Sequence, residues 1–183
     1  MSLLSTQFES ERLIFKEITP ADMEDAFKLG SMPEVDEFNT IGIPKNIDVT
    51  REVFQPSIED QSREKRTLFC WTIRHKESEI FMGIAGLTLS AERFKMGEIY
   101  YNLSPLYWGK GYGTETARAL IRFSFEKLKL HRIDAGVSTE NKRSIRVLEK
   151  AGMTREGLHR KILPIRGEWK DNYHYSILED DPR

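Results

Sequence analysis

The chain has 183 residues, 39% of them hydrophobic and 31% charged, with a formal net charge of -1, which is the composition of one soluble globular domain, 1–183. The near-zero balance argues against a general nucleic-acid binder, no run approaches the ~20 apolar residues of a membrane span, and the opening "MSLLSTQFESERLIFKE" has neither the basic leader nor the apolar core of a signal peptide. One cysteine, Cys70 in the strand-like "LFCWTI", cannot form an internal disulfide and reads as a buried thiol in a reducing, cytoplasmic compartment.

In chain order, "RLIFKEI" (12–18) alternates as a strand does. "TPADMEDAFKLG" predicts a helix opening at Thr19, with Pro20 in its first turn, and stopping at Gly30. Residues 31–47 read as loop, and 48–66 as a polar helix that Pro56 should kink or divide. Three strands follow, "TLFCWTIRH", "IFMGIAGLTLS" and "KMGEIYYNLS", with connections short enough for an antiparallel meander. Further on, Ala117, Leu120, Ile121, Ser124, Phe125 and Leu128 fall on one helical face. "HRIDAGVS" is a short strand, "NKRSIRVLEKAG" a helix closed by Gly152, and the tail two strands joined around "PIRGEW". The order β-α-α-β-β-β-α-β-α-β-β describes one mixed α/β domain. Charge is divided along it: residues 1–64 hold 14 Asp+Glu and 6 Lys+Arg, leaving 15 Asp+Glu and 22 Lys+Arg for residues 65–183. Either the surface is unevenly solvated, or one side attracts cations and the other anions.

The run "LSPLYWGKGYGTETARALIRF" (103–123) sets Gly109, Gly111 and Gly113 at alternate positions just ahead of a helix. Glycine tolerates positive φ and lets backbone approach a ligand, at a cost of ~1 kcal/mol inside a helix. The helix start adds unsatisfied N–H groups and about half a positive charge, so the pair suggests a phosphate or pyrophosphate cradle, with Lys110 adding charge at its rim. A flexible connector is the alternative. Glu115 in the first turn would repel a phosphate unless its carboxylate turns away. No Walker loop is present, and a dinucleotide fingerprint fails at Thr114, with too few strands left for a Rossmann sheet.

Together with "NKRSIRVLEKAGM", "ERLIFKEITPADMEDAFKL" at the front and "GEWKDNYHYSIL" at the back, this run resembles the GNAT N-acetyltransferases, in particular the branch that acetylates ribosomal-protein N-termini. The resemblance covers nearly the whole chain in order. It implies a mixed, mostly antiparallel sheet of about seven strands with a V-shaped split between the fourth and fifth, flanked by about four helices. It also implies acetyl-CoA as cosubstrate and no metal. Gly111 and Gly113 match the pyrophosphate loop, held through the backbone N–H groups of Lys110, Gly111, Tyr112, Gly113 and Thr114. Trp108 stands where the superfamily has Gln or Arg. The pantetheine arm would lie beside the strand ending at Leu103, and Asn141 matches a cofactor-contacting Asn that could equally be an N-cap. Lys142, Arg143 and Arg146 are either solvated or meet the adenosine phosphates.

Acetyl transfer to an amine needs a neutral amine, a stabilised oxyanion and a proton for the leaving thiolate. Glu98, on the strand leading to the cofactor and on the same side as Tyr100, is the candidate base; a plain exposed carboxylate is its alternative. Tyr101, Asn102 or Leu103 would supply an N–H to the oxyanion if the strand bulges. Many family members carry a tyrosine acid where Leu148 stands, so Ser144 becomes the candidate acid, directly or through water, unless it only bonds its own helix. Asp171 is a candidate for shaping the acceptor pocket, and the four histidines show no metal spacing. The implied acceptor is an amine, foremost a protein N-terminus, with small amines, polyamines and aminoglycosides left open. A noncatalytic acyl-CoA sensor is the rival of another class. Oligomeric state, a homodimer included, is left open.

Overall fold

Residues 6–182 are described by the computed structural model; residues 1–5, which begin the stretch read as lacking a signal peptide, lie outside the described residues, as does Arg183. Short connections and alternating burial build the sheet from its first edge. β1 (Phe8–Glu9) and β2 (Leu13–Glu17) pair antiparallel, and β2 continues onto β3 (Leu68–His75), β4 (Phe81–Leu89) and β5 (Met96–Leu103) as the expected meander. β6 (Arg132–Ser138) joins β5 in parallel, and β8 (Glu168–Leu178) lies between β6 and β7 (Thr154–Ile165). The order is β1-β2-β3-β4-β5-β6-β8-β7.

That is eight strands among the described residues, one more than expected. β1 is two residues long and exists because Phe8 stacks on Phe15 and Phe123, at 4.4 and 4.5 Å between ring centres. The parallel β5–β6 ladder has only the rungs Met96–Arg132, Gly97–Ile133 and Glu98–Asp134. Above Glu98 the two strands part, which is the anticipated split.

Among the described residues five α-helices flank the sheet, one more than expected. α1 (Met23–Gly30) begins after a single 3-10 turn, Pro20–Asp22, in which Asp22 accepts from Thr19 N at 2.9 Å and from its hydroxyl at 2.7 Å. The expected loop 31–47 contains a one-turn α2 (Pro33–Asp36), started by Pro33. α3 (Ile47–Asp60) is capped by Asn46, whose Oδ1 accepts from Asp48 N and Val49 N. It runs through Pro56 undivided, because the carbonyl that loses its partner lies on the solvent side with the exposed Glu52. It ends six residues before Arg66: the Asp60 carboxylate turns back to accept from Thr67 N and Leu68 N, both at 2.8 Å, and so starts β3.

α4 (Tyr112–Glu126) and α5 (Lys142–Lys150) cover one face of the sheet, where Leu120, Phe123 and Leu148 pack on Trp71, Ile99 and Ile133. α1 covers the other, with Met23, Ala26 and Leu29 on Cys70 and Ile84. Burial pushes the Cys70 thiol up to about 12, so it stays a neutral core group as read. Gly152, at φ 93°, follows the Ala151 C-cap of α5 as anticipated. No helix of the described residues is long and apolar enough to cross a membrane.

Candidate active site

The split is where main-chain groups lose their partners. Ser104 N–H donates to Met82 O and Ser90 N–H to Met96 O, and the β4–β5 register between them is unbroken. In an antiparallel ladder with that phase, Tyr101 and Leu103 turn their N–H and C=O groups away from β4 and into the widening gap. The anticipated bulge in β5 is therefore absent, and strand phase alone presents the N–H groups of Tyr101 and Leu103. The Leu103 carbonyl is taken by the Trp108 indole N–H at 2.8 Å.

One wall of the gap is the glycine turn. Gly109 and Gly111 sit at φ 74° and 84°, a region open chiefly to glycine. Gly111 is the N-cap of α4 and offers no side chain, so the first-turn N–H groups of Tyr112, Gly113 and Thr114 are uncapped. A Cβ at Gly113 would come within 3.2 Å of Val147 Cγ2, so glycine there lets α4 approach α5. The Glu115 carboxylate does turn away. It accepts from Ser10 Oγ, Arg12 N and Arg12 Nε, each at 2.7 Å. Burial alone would raise its pKa, but the Arg12 main chain, Ser10 and the Arg12 guanidinium together hold it below the usual 4.5. Arg12 also donates to Lys110 O at 3.2 Å and lies 4.1 Å over the Tyr112 ring, gripping the glycine turn from outside.

The opposite wall is α5. Asn141 Oδ1 accepts from Ser144 N at 3.1 Å, the N-cap role, while Asn141 still lines the cavity. Ser144 Oγ lies 3.2 Å from the Tyr101 hydroxyl, which reaches it from β5. Burial pushes the Tyr101 phenol up to about 12 against the lowering effect of Ser144. Leu148 is 1% exposed and belongs to the core. Of the basic run, Lys142 is bound to Thr139 O at 2.7 Å, whereas Arg143 stacks 4.1 Å over Trp108 and pairs with Glu37 at 2.9 Å.

A continuous cavity of about 780 Å³ follows these walls. Glu98, Tyr101 and Leu103 line it from β5, Trp108, Gly111, Gly113 and Thr114 from the glycine turn, and Asn141 and Ser144 from α5. It passes through the split to a second region beneath α1 and α3, where Val35, Phe38, Val53 and Phe54 surround the Glu98 face. Two expected cofactor contacts lie outside its lining. Lys110 Nζ is tied to Leu106 O at 2.9 Å, and the Tyr112 ring packs against Arg12 and Tyr107, leaving only their main chain for a cofactor. Asp171 is likewise outside, accepting from Lys161 N at 2.8 Å within the β7–β8 hairpin. Among the described residues no cluster of His, Cys, Asp or Glu could hold a metal. Sequence reading missed Arg12 and the Tyr101 hydroxyl. Arg12 is 103 residues from Glu115, and only strand parity, which sets Tyr101 opposite to Glu98, could have pointed to the hydroxyl.

Comparison with known proteins bears on the family and the fold. The acetyltransferase (GNAT) domain family model matches residues 12–154. YoaA, an uncharacterized N-acetyltransferase of Bacillus subtilis, is 30% identical over 171 residues, 93% of this chain and 96% of that protein. YnaD of the same organism is 44% identical over 84 residues, spanning 46% of this chain and 49% of its own length. The Escherichia coli [ribosomal protein uS5]-alanine N-acetyltransferase is 35% identical over 81 residues, 44% of this chain and 42% of that protein. Among solved structures, a GNAT-family acetyltransferase from Bacillus anthracis superposes with a TM-score of 0.83 at 30% identity, covering 96% of this chain and 99% of that one. Spermidine N-acetyltransferase from Vibrio cholerae, in complex with CoA and spermine, shares the fold at TM-score 0.82 and 19% identity, covering 93% and 97%. The chain belongs to the GNAT acetyltransferase family and is an acetyl-CoA-dependent N-acyltransferase.

Proposed function

We infer that the acceptor is the N-terminal α-amine of a protein, acetylated by direct attack in a ternary complex. The observation that carries this is the single cavity running from the uncapped start of α4, through the β5–β6 split, to the Glu98 face. Two substrates entering from opposite sides meet at the split without an acyl-enzyme.

The residues present fit acetyl-CoA. The uncapped N–H groups of Tyr112, Gly113 and Thr114 suit its pyrophosphate, and the N–H groups of Tyr101 and Leu103 suit an extended pantetheine arm. Bound acetyl-CoA supplies an activated thioester carbonyl. Amine nitrogen bonds to that carbon as the C–S bond breaks. The Leu103 or Tyr101 N–H faces the developing oxyanion, the amine proton leaves through water to Glu98, and the thiolate takes a proton from the Tyr101–Ser144 hydroxyl pair. The Tyr101 phenol, pushed up to about 12, holds its proton at neutral pH and so stays a hydrogen-bond donor to the leaving sulfur.

An α-amine, with pKa ~7.7 to 8.0, costs about 1.2 kcal/mol to deprotonate at pH 7, whereas a lysine near ~10.4 costs ~4.6 kcal/mol. One exposed carboxylate acting through water is a modest base, suited to the first. CoA release measured on Ala- and Ser-initiated peptides, spermidine and an aminoglycoside tests the reading. Glu98→Gln should lower kcat/KM for the peptides ~10- to 100-fold at pH 7 and far less at pH 9, where the amine deprotonates unaided. A faster reaction on spermidine or the aminoglycoside would reassign the acceptor, and an unchanged rate at pH 7 would remove Glu98 from the mechanism.

A further inference from the structure

The acceptor side of the cavity holds an aromatic surface that the mechanism above leaves unused. Tyr100 stands on β5 between Glu98 and Asn102, lines the cavity, and keeps 40% of its surface exposed. Its ring does not rise from the sheet. A Cβ on Gly86, its cross-strand partner, would fall 2.1 Å from Tyr100 Cζ, 2.2 Å from Cε1 and 2.3 Å from the hydroxyl oxygen. The ring therefore lies flat across the Gly86 main chain, and no larger residue at 86 would admit it.

Cys70 pairs with Gly86 across β3 and β4, so its buried thiol stands next in the row. Tyr100, Gly86 and Cys70 thus form one row across three strands, with one ring face on backbone and the other open to the cavity.

We propose that this open face of Tyr100 is the surface on which the acceptor lies next to its amine, and that it selects a planar peptide unit over a polyamine chain. The proposal rests on the reading of the acceptor as an N-terminal α-amine. A planar amide can stack on an aromatic face, and in a peptide the first amide plane follows the α-carbon. Glu98, two positions along the same strand face, is about 7 Å from Tyr100, which suits an amine at the carboxylate and an amide over the ring. A polyamine would bring further ammonium groups, each costly to desolvate without a counter-charge. Asp36 pairs with Arg166 at 3.0 Å and Glu37 with Arg143 at 2.9 Å, which leaves Glu34 as the one carboxylate of the lining besides Glu98. The lining on this side is mixed, with Val35, Phe38, Val53 and Phe54 beside Asn39, Thr50 and Ser57.

The test compares wild type, Tyr100→Ala, Tyr100→Phe, Gly86→Ala and the double variant, with an Ala-initiated hexapeptide and spermidine as probes and calorimetry of acetyl-CoA in parallel. Tyr100→Ala should raise peptide KM about 10-fold with kcat within roughly 3-fold and acetyl-CoA affinity unmoved, a stacking loss of the expected size. Tyr100→Phe, which keeps the ring, should stay within roughly 3-fold of wild type in peptide KM. Gly86→Ala should displace the ring and match Tyr100→Ala, and the double variant should be no worse than either single one. Additive KM effects, or peptide KM unmoved in Tyr100→Ala, would overturn the platform while leaving the acceptor reading intact. Ring-dependent turnover confined to spermidine would overturn the peptide selection, and wild-type turnover of neither probe would overturn both.

Discussion

Arg12 shows how one residue reconciles an acidic helix start with an anionic ligand. A carboxylate in the first turn of α4 favours the empty helix by its dipole and opposes a pyrophosphate there. Arg12 and Ser10 remove the conflict by binding Glu115 on the outer side. Arg12→Ala should release the carboxylate toward the cradle and weaken acetyl-CoA binding roughly 10-fold, by a charge term of about 1.4 kcal/mol; isothermal titration reads it, and restored affinity in Arg12→Ala/Glu115→Gln would locate the cause. The same contacts set a pH dependence. Because the folded pKa of Glu115 is depressed, its stabilisation is present above the unfolded value near 4.5 and lost as pH falls through the folded one. Glu115→Gln should flatten the acid limb of the thermal-stability profile, and an identical limb would show that the carboxylate is not linked to folding. Tyr101 acts on the proton rather than the ligand. Tyr101→Phe should cut kcat ~10- to 100-fold with acetyl-CoA affinity nearly unchanged, and Ser144→Ala should do so less; equal loss of affinity and kcat would make the pair a binding element instead.

At the scale of elements, glycines in the turn before α4 have separate tasks. Gly111 needs positive φ, where a β-branched residue is a severe outlier, and Gly113 needs closeness to Val147. Gly111→Val should tilt the start of α4 and abolish measurable acetyl-CoA binding, while Gly113→Val should push α4 from α5 and lower both affinity and thermal stability. Retained affinity in both, by calorimetry, would mean that the cradle lies elsewhere. These glycines and the Asn141 cap were legible because each leaves a local signature: positive φ and close approach require glycine, and a helix start favours Asn. β1, α2 and the end of α3 were not. β1 depends on Phe8 finding Phe123 across the fold, and α3 stops at Asp60 because its carboxylate binds β3. The Glu98 face follows from period-2 alternation, but the platform at Tyr100 depends on Gly86 in another strand, which no local pattern contains.

For the whole molecule, part of the charge division along the chain is met inside it. Glu9, Glu17, Asp22, Asp36 and Glu37 from the acidic part pair with Lys76, Arg66, Arg74, Arg166 and Arg143 from the basic part. Those five ion pairs join one part of the fold to the other, as do Arg12–Glu115 and Lys16–Glu79 in the opposite sense. The joint itself is narrow at the sheet centre, where β5 and β6 share only the rungs from Met96 to Glu98, and α4 spans the two sides. A ligand lying in the split touches both sides and should act as a cross-brace. At 100 times its Kd, acetyl-CoA should stabilise the folded chain by about 2.7 kcal/mol, which for a domain of this size is a Tm rise of roughly 5 to 10 °C. If the core continuous beneath α4 couples the sides, calorimetry should show one cooperative transition both without and with the ligand, moving as a unit. Two transitions, with only that of β6, β7, β8 and α5 shifted by acetyl-CoA, would show instead that the split divides the chain into independent folding units and that the ligand grips only one of them.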